Sequence, residues 1–538
     1  MNWKVLLLLF ILWFGLLGLT GTLFSGYHLT DDQDVLRIKQ DVAQTSVSRE
    51  TRIFLRDIFT AKMRFRPVHN LQRRLGTLVF GSNFTAWSVY FGILGVFAAF
   101  FLFRFARETG YSTLESGFFT ALTLLGEQAA IWWKLGSNET PGMFFLSAAL
   151  FCMAKSERAG TPRGKNLYEI LFAVFTITAS WCKESFILII PALIAWKIWL
   201  TVQKDEKGDK TPSLYTAIKK NIITAIVLLA VFTAELINII KVVGTTGIGY
   251  AGYDGFSLSS FFITGIRSFM AIHGWVIVVE LLIIGILFHR RLGGNNLDEK
   301  QSSGREVSKH LVWLFLLTGL IVVPQIVLYM KSGMMERYLL PGIMGYTFLM
   351  VSLTRFLRET GEKSGTKKKF LKTFPGILVL ALLILICLQQ LRVTRYTALA
   401  FAREGKQVNA WFQSIRQYTQ PNDMLVVIVH PLKNLEAAVA FKAYLEIEMN
   451  RTNVLYAPGN LDIKPTRDTF WNHLNREFFS QAPGFRLSNE KDREGIRGIM
   501  IFPGLENQFL SAAASWFKPG QYERYSNEAG YVGYYYKK

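Results

Sequence analysis

Long apolar segments recur along most of this chain, and they constrain its fold more than any other feature. About eleven of them are long enough to cross a bilayer if each helix needs about 20 apolar residues. Their approximate limits are 4–25, 84–105, 113–133, 141–155, 168–182, 185–202, 219–242, 269–289, 310–330, 338–357 and 374–392. Of the 538 residues, 51% are hydrophobic. The pattern predicts an α-helical polytopic membrane protein.

The distribution of Lys and Arg predicts how the chain is oriented in the membrane. Basic residues are concentrated in alternate loops, at 155–165, 204–220, 290–309 and 355–372. Cytoplasmic loops carry such an excess. We therefore expect the N-terminus inside, and the first long loop and everything after the last span outside. A bacterial cytoplasmic membrane is the simplest location, although an endoplasmic reticulum membrane would present the same topology.

The formal net charge of +21 does not by itself indicate nucleic acid. The basic residues are dispersed over loops beside apolar segments, which favours contact with anionic membrane lipids instead. The three cysteines, Cys152, Cys182 and Cys387, lie in or at the ends of apolar segments. They form neither a disulfide framework nor a zinc-binding spacing.

An acidic pair, Asp31-Asp32, follows the first apolar segment after one short turn. Desolvating carboxylates beside a membrane costs free energy, so an acidic pair at this position indicates a specific role. Two adjacent carboxylates can supply a general base, a metal ligand or both. The alternative interpretation is an ordinary solvated loop.

The loop that carries this pair, about 26–83, is long and basic. Within it, the segment 49–64 has apolar residues near one helical face and basic residues on the other. That pattern predicts an amphipathic helix, lying either in the membrane interface or on the protein's own surface. The residues Arg64-Phe65-Arg66-Pro67 then turn the chain back toward the second span.

Further polar residues stand in the other outer loops. Glu139 lies between spans three and four, and Lys183-Glu184 forms a tight turn between spans five and six. A loop rich in Gly and aromatic residues holds Tyr250 and Tyr253. It could gate a cavity and stack on sugar rings, or it could be a flexible connector.

Arg337-Tyr338 stands at the start of a late span. A boundary arginine can anchor a helix by snorkelling, and its planar guanidinium is equally suited to holding a phosphate. Inside the spans, Glu127, Glu235, His273 and Glu280 interrupt apolar sequence. Ionisable groups at such positions commonly mark a cavity or pathway, although Glu280 is better explained by a hydrogen bond between helices.

These features together resemble the GT-C superfamily of integral-membrane glycosyltransferases, which includes protein O-mannosyltransferases and lipid A aminoarabinose transferases. The resemblance rests on the acidic pair, the amphipathic helix after it and the Arg-Phe-Arg-Pro turn. It also rests on Lys183-Glu184, on the late-span segment 336–341 and on a C-terminal region outside the membrane. It implies a GT-C-like transmembrane domain at 1–392, in which 26–83 forms the first outer loop.

The resemblance also implies an activity. A sugar would pass from a polyprenyl-phosphate donor to an acceptor hydroxyl on the outer side, with inversion at the anomeric carbon. Asp31 or Asp32 would take the hydroxyl proton. Arg337, followed by Lys183 and Arg66, with Tyr338 beside them, would bind the donor phosphate. The residues expected at the acceptor site or cavity are Glu139, Glu184, Glu127, His273, Tyr250 and Tyr253.

A divalent metal is used by some members of this superfamily. Asp34, Glu139 or His28 could bind one here, although no ligand spacing demands it. The acceptor can be a glycan, a lipid or a protein, because no motif names it.

The C-terminal region, 393–538, reads as a separate soluble α/β domain. Strands are predicted at 424–429, 453–456 and 499–502, helices at 409–418, 435–449 and 506–517, and a hairpin at 522–538. The region has no nucleotide-binding or nucleophile-elbow motif. It could recognise the acceptor or form a structural lid.

Two other functions compete with the transferase. A transporter or flippase for a lipid-linked saccharide would also need a cavity and outward-facing cations, but it predicts access from both faces and often inverted repeats. We see no such repeat. A scaffold that keeps the fold without the reaction is the third possibility.

Overall fold

A computed structural model describes residues 3–44, 65–205, 214–246, 257–271, 273–292, 297–332, 334, 336–363, 369–430, 434–458 and 495–537, with isolated positions 49, 52 and 56. Most of the predicted amphipathic helix at 49–64 lies outside these described residues. So does the Gly-aromatic loop with Tyr250 and Tyr253.

The first half of the chain is built from helices joined by short turns. They are α1 (Trp3–Thr20), α2 (Gln33–Gln44), α3 (Pro67–Phe80), α4 (Phe84–Glu108), α5 (Thr113–Leu124), α6 (Glu139–Arg158), α7 (Pro162–Ser180), α8 (Glu184–Ile187), α9 (Ile190–Asp205) and α10 (Leu214–Thr246). Short 3₁₀ helices cover Thr22–Phe24 and Glu127–Trp132.

The second half continues with α11 (Leu258–Ala271), α12 (Trp275–Leu292), α13 (Leu297–Ser332), α14 (Gly342–Lys363), α15 (Lys369–Tyr418), α16 (Leu435–Ala443) and α17 (Glu506–Ala513). A 3₁₀ helix at Glu336–Leu339 precedes α14, and another covers Pro519–Gln521. A short π-helical segment, Tyr444–Glu448, follows α16.

Among the described residues, six helices are long and apolar enough to cross a membrane, or seven if α11 and α12, bent by 83°, form one broken span. The chain is therefore an integral membrane protein. The predicted span at 113–133 is not a single helix, because α5 ends at Leu124 and a 3₁₀ helix covers Glu127–Trp132. Gly126 between them has a φ of 109°, a conformation that suits glycine and interrupts the helix.

A five-stranded sheet forms the C-terminal region, in the order β2-β1-β3-β5-β4. The strands are β1 (Met424–Val429), β2 (Val454–Pro458), β3 (Ile496–Ile501), β4 (Tyr522–Ser526) and β5 (Val532–Tyr536). β1 is parallel to β2 and β3, whereas β5 is antiparallel to β3 and β4. The predicted small sheet is thus present, and its continuous apolar strand, β1, lies between β2 and β3, as expected for a strand covered on both faces.

Two hydrophobic cores meet along one continuous helix, α15. This helix of 50 residues runs through position 392, where the sequence suggests the end of the transmembrane domain. Ala398 still belongs to the core of the helix bundle, and Val408 already belongs to the core of the sheet region. Tyr27, from the loop after α1, lies in the second core and donates a hydrogen bond to the carbonyl oxygen of Ala440 at 2.7 Å. The described start of the loop after α1 and the C-terminal region therefore pack together.

Candidate active site

A cavity of about 310 Å³ lies where the loop after α1 meets the starts of α3, α6 and α8 and the 3₁₀ helix before α14. Chain segments far apart in sequence line it, and every lining residue except Gly136 has a polar or charged side chain. The lining residues are Asp31, Asp34, Arg66, His69, Asn70, Arg73, Gly136, Asn138, Glu139, Lys183, Arg337 and Tyr338. The structure thus brings together residues that the sequence could only name separately.

Each carboxylate in the cavity wall is paired with a basic side chain from another segment. The pairs are Asp31 with Arg337 at 2.6 Å, Asp34 with Arg73, and Glu139 with Lys183. A fourth pair, Glu184 with Arg66 at 2.6 Å, stands at the edge of the cavity. Acids and bases therefore balance, which lets charged groups stay in a partly desolvated space.

Asp31 is the carboxylate best placed for chemistry. Its φ is 65°, a left-handed conformation that aspartate tolerates better than most residues. Burial alone would raise the pKa of Asp31, but the guanidinium groups of Arg337 and Arg73 outweigh it and hold the pKa below its usual range. Asp31 therefore faces the cavity as an anion. Its side chain lies so close to Gly136 that a Cβ there would overlap it.

Asp32 stands in a different environment from its neighbour. Its side chain is 1% exposed, and its Oδ2 accepts a hydrogen bond from the backbone N–H of His28 at 2.8 Å. Burial raises the pKa of Asp32 well above its usual range. Asp32 is not among the residues that line the cavity, so only one member of the acidic pair faces it.

His28 is part of the packing between α1 and α15. Its ring stacks on Phe401 with 3.6 Å between centroids, and its Nε2 lies 3.0 Å from the Oγ of Ser25. Burial lowers the pKa of His28 to about 3, so the ring is neutral.

Asp34, Glu139 and His28, the residues expected to bind a divalent metal, do not form one donor group. Among the described residues, no group of three or more His, Cys, Asp or Glu side chains could hold a metal ion. Asp34 and Glu139 are each engaged by a basic side chain, and His28 is outside the cavity lining. No catalytic step is assigned to a metal.

Tyr338 holds two of the cations in place. The Nζ of Lys183 lies 4.1 Å from the centroid of the Tyr338 ring, and the Cζ of Arg337 lies 5.4 Å from it. Such cation–π contacts position a charge without neutralising it. The predicted phosphate-binding residues Arg337, Lys183, Tyr338 and Arg66 therefore line one cavity together.

Sequence reasoning named Arg66 but missed the polar face of α3 that continues from it. Arg66, His69, Asn70 and Arg73 line the cavity, and their spacing of three or four residues places them on one side of the helix. Burial and the charges of Arg73 and Arg66 lower the pKa of His69 well below its usual range. This periodicity was readable in the sequence once Pro67 was taken as the first residue of a helix.

Glu436, on the first turn of α16, was also missed. The charges of Asp31 and Glu436 act on each other and shift both pKa values. Partial burial and the negative charge of Asp31 raise the pKa of Glu436 to about 7. Nothing local in the sequence marks this effect, because it depends on how the C-terminal region packs on the segment after α1.

The remaining predicted residues lie elsewhere. Glu127 is exposed on its 3₁₀ helix, and His273 is half-buried in the break between α11 and α12 with a φ of 58°; neither is among the cavity residues. Glu280 accepts a hydrogen bond from Thr354 at 2.6 Å, the contact between helices that was expected of it.

No protein family model and no curated protein matches the chain, but solved structures do. ArnT from Cupriavidus metallidurans bound to undecaprenyl phosphate shares 11% identity over 99% of this chain and 98% of its own, with a TM-score of 0.46. The Archaeoglobus fulgidus oligosaccharyltransferase in complex with Zn and sulfate shares 12% identity over 88% of this chain and 65% of its own, with a TM-score of 0.38.

A second structure from Archaeoglobus fulgidus, the oligosaccharyltransferase AglB with an inhibitory peptide and a dolichol-phosphate, shares 13% identity over 88% of this chain and 66% of its own, with a TM-score of 0.37. ArnT, an aminoarabinose transferase, and AglB are both GT-C glycosyltransferases.

Proposed function

We propose that this protein is an integral-membrane glycosyltransferase that moves a sugar from a polyprenyl-phosphate donor to an acceptor hydroxyl, with inversion, on the extracytoplasmic face. The observation that carries the proposal is one cavity in which the anionic Asp31 stands among basic side chains. Such a transfer needs both a base for the acceptor and positive charge for the departing phosphate. The acceptor is a hydroxyl of a glycan, a lipid or a protein.

Asp31 is the proposed general base. An acceptor hydroxyl is a poor nucleophile, and a carboxylate at hydrogen-bond distance takes its proton as the acceptor oxygen bonds to the anomeric carbon. The bond from that carbon to the phosphate oxygen breaks on the opposite side. Asp32 is unsuited to this task, because it is buried and its raised pKa favours the protonated form.

The cations on the other wall are proposed to receive the phosphate. Arg337 and Lys183, held against the ring of Tyr338, are preorganised for a group on which charge develops. The planar guanidinium of Arg337 suits a phosphate in particular. Since these cations are also paired with Asp31 and Glu139, the incoming phosphate would share them with those carboxylates.

The proposed topology has eleven spans, the N-terminus inside and the C-terminal domain, 393–538, outside, in a bacterial cytoplasmic membrane. The cavity supports this arrangement, because all its lining residues stand in segments that the Lys and Arg pattern assigns to the outer side. The polyprenyl chain and membrane lipids would lie against the exposed apolar faces of helices such as α10 and α15.

The proposal is tested by measuring the release of polyprenyl phosphate from a panel of polyprenyl-phosphate sugars by the purified protein in lipid nanodiscs. Asp31→Asn should lower the rate by about 100- to 10,000-fold, because it removes the general base. Asp32→Asn is the matched control. It keeps an oxygen that can accept the bond from the His28 N–H, and it should leave the rate close to that of the wild type.

Polyprenyl phosphate should still bind to the Asp31→Asn protein, which shows that the fold survives. Equal rates in both variants and the wild type would refute the assignment of the base. If the wild type releases nothing from any donor, the next measurement is translocation of the same lipids across vesicles.

A further inference from the structure

Three uncharged polar side chains stand among the charged residues that line the cavity: His69, Asn70 and Asn138. The proposed reaction gives a role to an acid and to several cations of this wall, but none to these three. His69 is 4% exposed, and its buried Nδ1 has no hydrogen-bond partner among the described residues. Buried polar atoms in folded proteins are nearly always hydrogen-bonded, so an unpartnered one in a cavity wall indicates a ligand that supplies the bond.

Asn138 also lacks the contact that its position normally provides. It is the residue immediately before α6, where an asparagine side chain usually accepts a hydrogen bond from a backbone N–H of the first helical turn. Here the side chain makes no such bond. It lines the cavity instead, two residues after Gly136, the glycine against which the side chain of Asp31 packs. The carboxamide of Asn138 therefore belongs to the part of the wall next to the proposed base.

His69 and Asn70 occupy the middle of the cavity face of α3. Arg66, a proposed phosphate ligand, precedes them by about one turn, and Arg73 follows them by about one turn. Arg73 donates a hydrogen bond to the backbone carbonyl oxygen of Asp31 at 3.4 Å. A group that lies along this face between the phosphate and the base would therefore contact His69 and Asn70. In an inverting transfer that group is the sugar, because its anomeric carbon lies between the departing phosphate oxygen and the attacking hydroxyl.

The charges of the wall favour a sugar without a charge of its own. Each carboxylate that lines the cavity is paired with a basic side chain, so an ammonium group on the sugar would have to displace one of these cations. His69 adds no charge, since burial and the charges of Arg73 and Arg66 lower the pKa of its ring well below the usual range. A neutral imidazole and two carboxamides can both donate and accept hydrogen bonds, as the hydroxyl groups of an uncharged sugar require.

We propose that His69, Asn70 and Asn138 form the sugar-binding part of the cavity and select an uncharged monosaccharide on the polyprenyl-phosphate donor. This inference rests on the proposed glycosyl transfer and adds the class of sugar to it. The cavity of about 310 Å³ is at the small end of the range for small-molecule sites, about 300–1,000 Å³, which suits one sugar rather than a longer chain. Hydrogen bonds from these side chains would hold the anomeric carbon between the carboxylate of Asp31 and the cations that receive the phosphate.

Binding to the purified protein in lipid nanodiscs tests this inference without turnover. Polyprenyl phosphate is compared with polyprenyl-phosphate glucose, which the wild type should bind more tightly. Asn70→Ala, Asn138→Ala and His69→Phe should each weaken binding of the glucose lipid by about 5- to 10-fold, the effect of one hydrogen bond, and leave binding of polyprenyl phosphate unchanged. Gln72→Ala is the matched control, because Gln72 also lies on α3 but donates to the hydroxyl of Tyr90 at 3.2 Å and is not a cavity residue.

A third lipid, polyprenyl-phosphate glucosamine, tests the class of sugar. The wild type should bind it less tightly than the glucose lipid, because its ammonium group finds no unpaired carboxylate in the described wall. Asn70→Asp should shift the preference toward the glucosamine lipid by about 10-fold, since a carboxylate hydrogen-bonds strongly to an ammonium group. Gln72→Glu adds the same charge to the same helix outside the cavity and should leave the preference unchanged.

Equal losses for polyprenyl phosphate and the glucose lipid in Asn70→Ala and Asn138→Ala, or no loss for either, would overturn the inference. So would tighter binding of the glucosamine lipid by the wild type. If the wild type and the variants bind as expected but no sugar is transferred, the sugar site stands and the proposed function fails. If the wild type transfers sugar and the three variants bind and transfer as it does, the proposed function stands and this inference fails.

Discussion

The two ends of the helix bundle both contain buried ion pairs, yet they differ in what surrounds those pairs. At the cavity end, where α6 and α14 begin, the pairs surround a space of about 310 Å³. At the opposite end, where the same helices finish, Lys197 is 1% exposed and lies 2.5 Å from Glu157. The cavity found there, next to Trp196 and Trp199, is about 40 Å³, little more than room for one or two water molecules.

The difference teaches that a buried ion pair does not by itself indicate a site. At the opposite end some pairs join residues one turn apart, such as Arg104 with Glu108 and Arg355 with Glu359, and they neutralise charge within packed helices. At the cavity end each pair joins separate segments and faces open space. The same chemistry serves stability in one place and, we propose, catalysis in the other.

This asymmetry also bears on the rival function. A transporter needs a binding site that opens to both faces in turn. Within the described residues, the charged cavity of about 310 Å³ stands at one end of the bundle, and the cavity at the other end is only about 40 Å³. The arrangement favours a transferase that works on one side of the membrane.

The largest effect is expected from Lys197→Met at the opposite end. Removing one partner of a buried pair leaves an uncompensated charge, which should lower the free energy of unfolding by about 3–5 kcal/mol. The transfer rate per folded molecule should not change. The control is Lys165→Met, since Lys165 is an exposed partner of Glu169 at 3.7 Å and should contribute less than about 1 kcal/mol. Unfolding by SDS in mixed micelles measures both, and equal losses would remove the distinction between the pairs.

At the cavity end, Arg337→Lys should change activity rather than stability. The charge stays, but the planar guanidinium that faces the phosphate is lost, so transfer should fall by about 100- to 1,000-fold. Arg358→Lys makes the same change at the opposite end, where Arg358 pairs with Glu115 at 2.9 Å. Initial rates of polyprenyl phosphate release decide the outcome. Similar losses in the two variants would mean that the two ends do not differ in function.

A smaller effect is expected from Gly136→Ala. The added methyl group would overlap the side chain of Asp31 and move it, and a shift of about 1 Å can cost about 100-fold in rate. Gly117, in α5 toward the opposite end, has open space around it, so Gly117→Ala should change neither the transfer rate nor the melting temperature. The rate of transfer and the melting temperature are measured for both. Full activity in Gly136→Ala would show that Asp31 need not stand where the structure has it.

The acidic pair shows how far sequence reasoning reaches. It selected a short segment in which one residue lines the cavity, but it could not choose between Asp31 and Asp32. The choice depends on the left-handed turn at Asp31, which directs one carboxyl group to the cavity and leaves the other in the packing against His28. Arg337, Lys183 and Glu139 were identified one at a time, because their shared position arises only when the helix ends come together.

The sequence alone determined that this chain spans a membrane, because no other environment accommodates apolar runs of that length at so low a cost in free energy. It also indicated the small sheet and the side on which polar groups gather. Tertiary structure decided the rest. Which acid faces the cavity and which cation it meets both depend on contacts between segments far apart in the chain. Such contacts follow from the packing of distant segments, and this packing leaves no periodic pattern in the local sequence.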